Sequence, residues 1–364
     1  MKELDGILTR ARRGEGPGRD ELVRLLGLKD ASERADLFAA AYAVKEENVG
    51  RVVHLRGLVE ISNLCAKDCL YCGIRRSSTH VPRFRLDAGA IVAAARWVHR
   101  ARYGSLVLQG GEVQGPGYTS FIEDVLRRIH RETAGELAIT LSLGEQNRDT
   151  YARWREAGAH RYLLRMETSN PRLYAELHPS DHLWDRRLEC LHLLRETGYQ
   201  VGTGVMCGLP GQTLEDLSND LLFIRNLDVD MVGMGPYIPH RDTPLGRELE
   251  NFDGQRALDL GLKMLACLRL LMPDANMAST TALQALDPAG REQGLLAGGN
   301  VIMPNVTDPA FRPNYQLYEG KPGLDENSEQ SRLALEKSVE KIGETVAYGQ
   351  WGNAPRFEKR TPAE

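Results

Sequence analysis

The chain has 364 residues, of which 42% are hydrophobic and 26% charged, with a net charge of -4. That balance excludes a disordered or fibrous chain, and the small net charge gives no general pull toward nucleic acid or an anionic membrane. No stretch approaches the roughly 18 consecutive apolar residues that cross a bilayer, and the opening MKELDGILTRARRGEGPGRD lacks a signal-type apolar run, so the reading is a cytoplasmic protein.

Residues 1–50 carry apolar positions at three- and four-residue spacing, as in RDELVRLLGL and ERADLFAAAYAVKEENVG, which predicts an N-terminal helical extension. From residue 51 the rhythm changes to short apolar strands followed by amphipathic helices. The strand segments are GLVEIS (57–62), SLVLQ (105–109), LAITLS (137–142), RYLLR (161–165), VGTGVM (201–206), DMVGMG (230–235), NMAST (276–280) and NVIMP (300–304). Helical stretches such as DAGAIVAAARWVHRA and YTSFIEDVLRRIHRE separate them. This alternation predicts parallel strands with crossover helices, and the consecutive apolar positions suit strands covered on both faces.

Eight such repeats predict an α/β protein with a (β/α)8 TIM-type barrel over residues 51–348; a long doubly wound sheet is the alternative. A barrel gathers its working groups at the C-terminal ends of its strands. Here CAKDCLYC follows the first strand, GGE the second, SLGE ends the third, and RMET, CGLPG, GPYIPH and TTA follow the next four. Residues 349–364, rich in Pro, Gly and charge, predict a short C-terminal tail that frays.

Cys65, Cys69 and Cys72 form a CxxxCxxC cluster, three of the six cysteines in the chain. Neighbouring thiolates are soft ligands suited to zinc, copper(I) or an iron–sulfur cluster. A structural zinc site closes with four ligands, for which His80 is a candidate, but no second CxxC is present. A cubane cluster on three cysteines would leave one iron open to a substrate or cofactor. Cys190, Cys207 and Cys267 are isolated and read as small buried hydrophobes, so no second iron–sulfur site is expected near the C-terminus.

The spacing, with Tyr71 before the third cysteine, resembles the signature of the radical S-adenosylmethionine (SAM) superfamily. The resemblance implies a [4Fe–4S] cluster on Cys65, Cys69 and Cys72, SAM chelated at the open iron, and reductive cleavage of SAM to a 5′-deoxyadenosyl radical. It also implies a low-potential electron donor. Gly110, Gly111 and Glu112 in LQGGE resemble the stretch whose backbone meets the SAM amino group, where a side chain would block the approach. By the same resemblance Glu167 would accept from the ribose hydroxyls or the amino group, and Arg187 would pair with the SAM carboxylate. Tyr71, Ser142, Met231 and Ile238 would lie near the cofactor or the cavity wall, with Met234 a competitor of Met231.

Longer segments extend the likeness over about residues 50–320: RGLVEISNLCAKDCLYCGIRRSS, TLSLGE, RYLLRMETSNP, GLPGQT, DMVGMGPYIPHRDTPL and GGNVIMPN. Together they resemble the HydE family of [FeFe]-hydrogenase maturases, more than methylornithine synthase or biotin synthase, which share the barrel and the triad. This implies a small substrate, an iron with CO and cyanide bound to cysteine, and other hydrogenase maturases as partners. Thr140, Arg165, Thr280 and Thr281 would line the anion-binding end of the cavity, where a guanidinium flanked by hydroxyls suits a carboxylate or cyanide.

Two positions depart from the family pattern, Met166 where His is frequent and Gly110 where the stretch reads LQSGE. Exchanging His for Met removes a titratable group and bears on substrate rather than SAM chemistry. The rival readings are a related radical SAM enzyme with another small substrate, of methylornithine synthase type, and a non-catalytic iron–sulfur scaffold or carrier. Glu167 and Arg187 argue against the carrier.

Overall fold

The computed structural model describes residues 2–249, 251–323 and 328–361. The predicted repeats all appear as parallel strands: β1 Val52–Ser62, β2 Ser105–Gly110, β3 Ala138–Ser142, β4 Ala159–Leu163, β5 Gln200–Thr203, β6 Met231–Val232, β7 Asn276–Met277 and β8 Val301–Ile302. Each strand pairs with the next from β1 to β7, and β8 returns to β1 through His54–Val301 and Leu55–Ile302. A parallel bridge between Ala278 and Val301 closes the ring. The barrel is therefore formed and the open doubly wound sheet is excluded.

The later strands are shorter in the ring than their apolar runs suggest. Beyond β5 and β6 the backbones converge, so that a Cβ on Gly204 would stand 2.1 Å from the Gly233 oxygen. Only glycine allows that approach. Past this point Met206–Cys207 and Gly235–Pro236 form their own two-stranded ladder at the barrel mouth.

Strand alternation sorts the side chains. On β1, Val53, Leu55, Val59 and Ile61 join the apolar core under the helices, whereas Arg56, Leu58 and Glu60 face the barrel axis. The interior is polar at its floor. Arg56 and Arg161 are buried there and neither pairs with a carboxylate among the described residues.

Met231, Gln200 and Ser105 accept from part of these guanidinium groups, and the C-terminal tail supplies the other acceptors. Arg161 donates through Nη2 to the Trp351 carbonyl at 2.7 Å and to Asn353 Oδ1 at 2.6 Å. Arg56 reaches the Gly352 carbonyl at 3.3 Å, and Asn276 Nδ2 reaches the same oxygen at 2.9 Å. Trp351 Nε1 donates to the Glu136 carbonyl at 2.8 Å, and the short helix Pro355–Arg360 is tied to Asp230 by Arg360 at 2.5 Å. The expectation that the tail frays is thus overturned for residues 349–361, because buried guanidinium groups require acceptors and the tail supplies them. Residues 362–364 lie outside the described residues.

Helices Lys2–Arg12, Arg19–Leu26 and Ala31–Val49 make up the N-terminal extension and pack on the barrel helix Gly254–Leu271. Asp30 starts the third of them by accepting from the Ser32 and Glu33 amides. Lys45 then forms a fully buried ion pair with Glu344 at 2.6 Å. No helix of the described residues is long and apolar enough to cross a membrane.

A chain ending at Tyr348 should melt well below the full chain. Each buried donor left without an acceptor costs ~1–3 kcal/mol, and Arg56, Arg161 and Asn276 would all be stranded. An unchanged melting temperature would show that the tail does not stabilise the barrel.

Candidate active site

The cysteine loop leaves β1 at Ser62, whose hydroxyl donates to the Phe84 carbonyl at 2.9 Å and accepts from the Leu64 amide at 3.1 Å. Asn63 fastens the loop base by donating to the Pro82 and Asn314 carbonyls at 2.8 and 2.7 Å. One guanidinium shapes the rest: Arg83 donates to the carbonyls of Asn63, Ile74, Arg75 and Ser78 at 2.5–2.8 Å. A planar fork of five donors can satisfy several inward-turned carbonyls where a lysine could not.

Cys65, Cys69 and Cys72 are half-buried and line one side of a cavity of about 320 Å³. The Glu112 amide donates to Cys65 Sγ at 3.3 Å. Gly111 is forced by this contact: a Cβ there would stand 2.2 Å from the Leu64 oxygen and 2.7 Å from the Cys65 Cβ. Burial pushes the Cys65 thiol up, the Cys69 thiol up to about 12, and the Cys72 thiol well above its ordinary value. A cationic centre bound to the sulfurs would favour their thiolate form against this burial. Among the described residues no three His, Cys, Asp or Glu side chains are arranged to hold a single metal ion. His80 faces Asp242 at 3.7 Å instead. Three soft donors on one cavity wall suit an iron–sulfur cluster.

Behind the thiols lies a buried charge network. Glu145 is gripped by Arg187 Nε at 2.6 Å and Lys67 Nζ at 2.9 Å, and Lys67 also reaches Glu112 at 3.5 Å. Burial and then the adjacent Glu145 raise the Glu112 carboxyl above its ordinary range. Burial also pushes Glu145 upward, but Arg187 and Lys67 outweigh it and hold that carboxyl low. Arg187 Nη1 donates to the Arg165 carbonyl at 2.6 Å, so two of the three guanidinium nitrogens are fixed.

Glu167 follows β4 with φ +68, a left-handed conformation that costs a non-glycine residue ~1–3 kcal/mol. Bonds to the neighbouring strand hold it: its amide donates to the Gly204 carbonyl at 3.1 Å and its carbonyl accepts from the Met206 amide at 2.9 Å. Its Oε2 stands 3.0 Å from Arg165 Nη2. Glu167 Oε2, Arg165 Nε and Thr280 Oγ1 are buried without a hydrogen bond, and all three residues line the cavity. Such groups sit where a ligand would satisfy them.

Tyr71 lines the same cavity and donates through Oη to His178 Nε2 at 3.1 Å. His178 Nδ1 in turn donates to the Tyr174 carbonyl at 2.7 Å. Burial lowers the His178 pKa to about 3, which keeps the ring neutral and Nε2 an acceptor.

The structure thus brings together on one cavity Cys65, Cys69, Tyr71, Cys72, Gly110, Gly111, Glu112, Ser142, Arg165, Glu167, Arg187, Ile238, Thr280 and Thr281. Two expected residues fall elsewhere. Thr140 and Met231 line a separate void of about 20 Å³ near the floor, with Arg56 and Asn276. Thr140 precedes the cavity-lining Ser142 by two residues on β3 and so points inward one layer lower. Met231 opens β6 and accepts through Sδ from Arg56 Nη1 at 2.8 Å. Met234 is buried in the apolar core. So is Met166, so its departure from the family pattern does not alter the cavity wall.

Other lining residues, and Glu145 behind them, escaped the sequence. Lys67 and Glu145 sat inside the quoted motifs, but only the fold shows that they pair. Glu60 on β1 also lines it, together with Tyr315, Tyr318 and Lys321 from the chain after β8, past the last quoted segment GGNVIMPN. There Lys321 forms a buried ion pair with Glu60, Gln109 donates to Tyr315 Oη at 3.2 Å, and the Thr281 and Tyr318 hydroxyls share a hydrogen bond of 2.9 Å.

Comparison with known proteins places these features in a family. The profile of the Radical SAM superfamily matches residues 59–224. The [FeFe] hydrogenase maturase subunit HydE of Thermotoga maritima is 43% identical over 339 residues, 93% of this chain and 94% of that protein. The 3-methylornithine synthase of Methanosarcina acetivorans is 25% identical, over 89% of this chain and 87% of that protein. The crystal structure of methylornithine synthase superposes with a TM-score of 0.80 at 23% identity, over 94% of this chain and 98% of that one. The maturase HydG from Carboxydothermus hydrogenoformans gives 0.77 at 21% identity, over 95% and 80%. These two solved structures share the fold.

Substituting Gly111→Ala forces Leu64 and Cys65 outward, an overpacking strain of ~1–3 kcal/mol. Anaerobically reconstituted Gly111→Ala protein should retain less iron and sulfide per chain than the native protein while its far-ultraviolet circular dichroism is unchanged. Native iron content would refute the cradle assigned to Gly111.

Proposed function

The chain belongs to the HydE family of radical SAM enzymes, and on that premise we propose that it acts in the cytoplasm on a cysteine-bound Fe(CO)2CN precursor of the [FeFe]-hydrogenase diiron subcluster. The observation that carries this reading is the convergence of three thiols and the unsatisfied Arg165, Glu167 and Thr280 on one cavity. HydG-type maturation proteins and a low-potential electron donor would be its partners.

Cys65, Cys69 and Cys72 would hold the [4Fe–4S] cluster, which when bound supplies the electron that splits SAM into methionine and a 5′-deoxyadenosyl radical. The other residues bind, orient and shield. Bare backbone at Gly110 and Gly111 admits the methionine end of SAM without a side chain in the way. Glu167, an acceptor-only carboxylate when ionised, takes ammonium or ribose hydroxyl donors. Arg187, already fixed by Glu145 and the Arg165 carbonyl, presents its remaining edge to the SAM carboxylate. Tyr71, held by His178, flanks the nucleoside.

On the opposite wall Arg165, Thr280 and Thr281 would receive the anionic end of the precursor, its cyanide or its cysteine carboxylate. Leu163, Ile238 and Met303 give this region an apolar lining. Exclusion of water there would protect a radical from side reactions. A second reading, rearrangement of an amino acid as in methylornithine synthase, is favoured by the shared barrel and the 25% identical relative.

With reductant, the anaerobically reconstituted protein should form 5′-deoxyadenosine, and Cys69→Ala should abolish it; persistent formation would remove the triad from the mechanism. With the other maturases and hydrogenase apoprotein, the native chain should restore hydrogen evolution. Thr280→Val should lower that activation while 5′-deoxyadenosine formation continues, because the hydroxyl is assigned to the precursor and not to SAM. Release of 3-methylornithine in place of hydrogenase activation would establish the second reading.

A further inference from the structure

Asp220 lies in helix Leu214–Asn226, fully buried, and takes no part in the chemistry described above. Its Oδ1 accepts from the Ser169 amide at 2.5 Å and the Thr168 hydroxyl at 3.4 Å, and its Oδ2 from Gln212 Nε2 at 3.3 Å. All three partners are neutral donors, and among the described residues no cation forms an ion pair with it. Burial raises its pKa to about 7 even against these hydrogen bonds. An unpaired carboxylate in such a place is costly, so what it holds is informative.

It holds the two residues that follow Glu167. Asp216, one turn earlier on the same helix, accepts from Asn170 Nδ2 at 2.8 Å, so two carboxylates clamp the turn Thr168–Asn170. Gln212 carries the grip to the other side: its Nε2 also donates to the Met206 carbonyl at 3.1 Å, and its Oε1 accepts from the Gly208 and Leu209 amides at 2.8 and 3.1 Å. Met206 is the residue whose amide binds the Glu167 carbonyl. The left-handed conformation of Glu167 is thus flanked on both sides by backbone that Asp220 restrains.

We propose that Asp220 is a positioning residue that fixes the Glu167 carboxylate at the cavity wall, so that affinity for SAM depends on a buried acid lying outside the cavity. The inference rests on the reading of Glu167 as a SAM-binding group. Asp220→Asn places an amide that is half donor among three donors, and the turn must shift to accommodate it.

The test is equilibrium binding of SAM to the reconstituted holoenzyme in native form, as Asp220→Asn, as Glu167→Gln and as the double variant. Asp220→Asn should weaken SAM by ~10-fold, the scale at which supporting residues act on a bound group, with iron content and cluster absorbance unchanged. The double variant should bind SAM no more weakly than Glu167→Gln alone, because the group being positioned is already lost. Native affinity in Asp220→Asn, losses that multiply in the double variant, or a fall in iron content that accounts for the weakening would each overturn the proposal. Native affinity in Glu167→Gln would overturn both the proposal and the assignment of Glu167 to SAM. If Asp220→Asn does not fold, Thr168→Val removes one donor to the same carboxylate with little change of shape and enters the cycle with the same expectations.

Discussion

A charge buried in a barrel must meet an opposite charge, a set of hydrogen-bond partners or a ligand, and this constraint orders the whole interior. At the floor Arg56 and Arg161 are met by tail carbonyls and an amide. At the rim Lys67, Glu145 and Arg187 meet one another, and Glu60 meets Lys321. Between these layers Glu167 and Arg165 form an ion pair at 3.0 Å, while Glu167 Oε2, Arg165 Nε and Thr280 Oγ1 make no hydrogen bond. Three half-buried thiols line the same cavity.

The parallel ring was legible because each strand carries a consecutive apolar run and each helix a separate amphipathic one, two signals of different period. The site was legible where chemistry demands unusual residues at fixed spacing: Cys65, Cys69 and Cys72, the glycines before Glu112, and Glu167 at the end of a strand. Depth along a strand was not. Thr140 and Ser142 share an orientation and differ by one layer, which a period of two cannot resolve. Met231 failed for a related reason, since its partner Arg56 lies 175 residues away and no local pattern links them. The tail misled because its Pro, Gly and charge read as disorder, whereas its backbone carbonyls are what the barrel uses.

Support for the site is arranged in successive shells. Arg83 shapes the cysteine loop through carbonyls, Glu145 aligns Arg187 and Lys67, and His178 aligns Tyr71. Two of these supports keep one charge state in the ordinary pH range: burial keeps His178 neutral, and Arg187 and Lys67 keep Glu145 ionised. A rigid frame of this kind suits a reaction whose intermediate must be kept from wandering.

The contacts of Arg161 and Arg56 with the tail join residues 190 to 296 positions apart. During vectorial synthesis the strands carrying these arginines emerge long before residues 351–353 do. The nascent barrel therefore holds two cations with only part of their acceptors, and it gains the rest when residues 351–353 fold back.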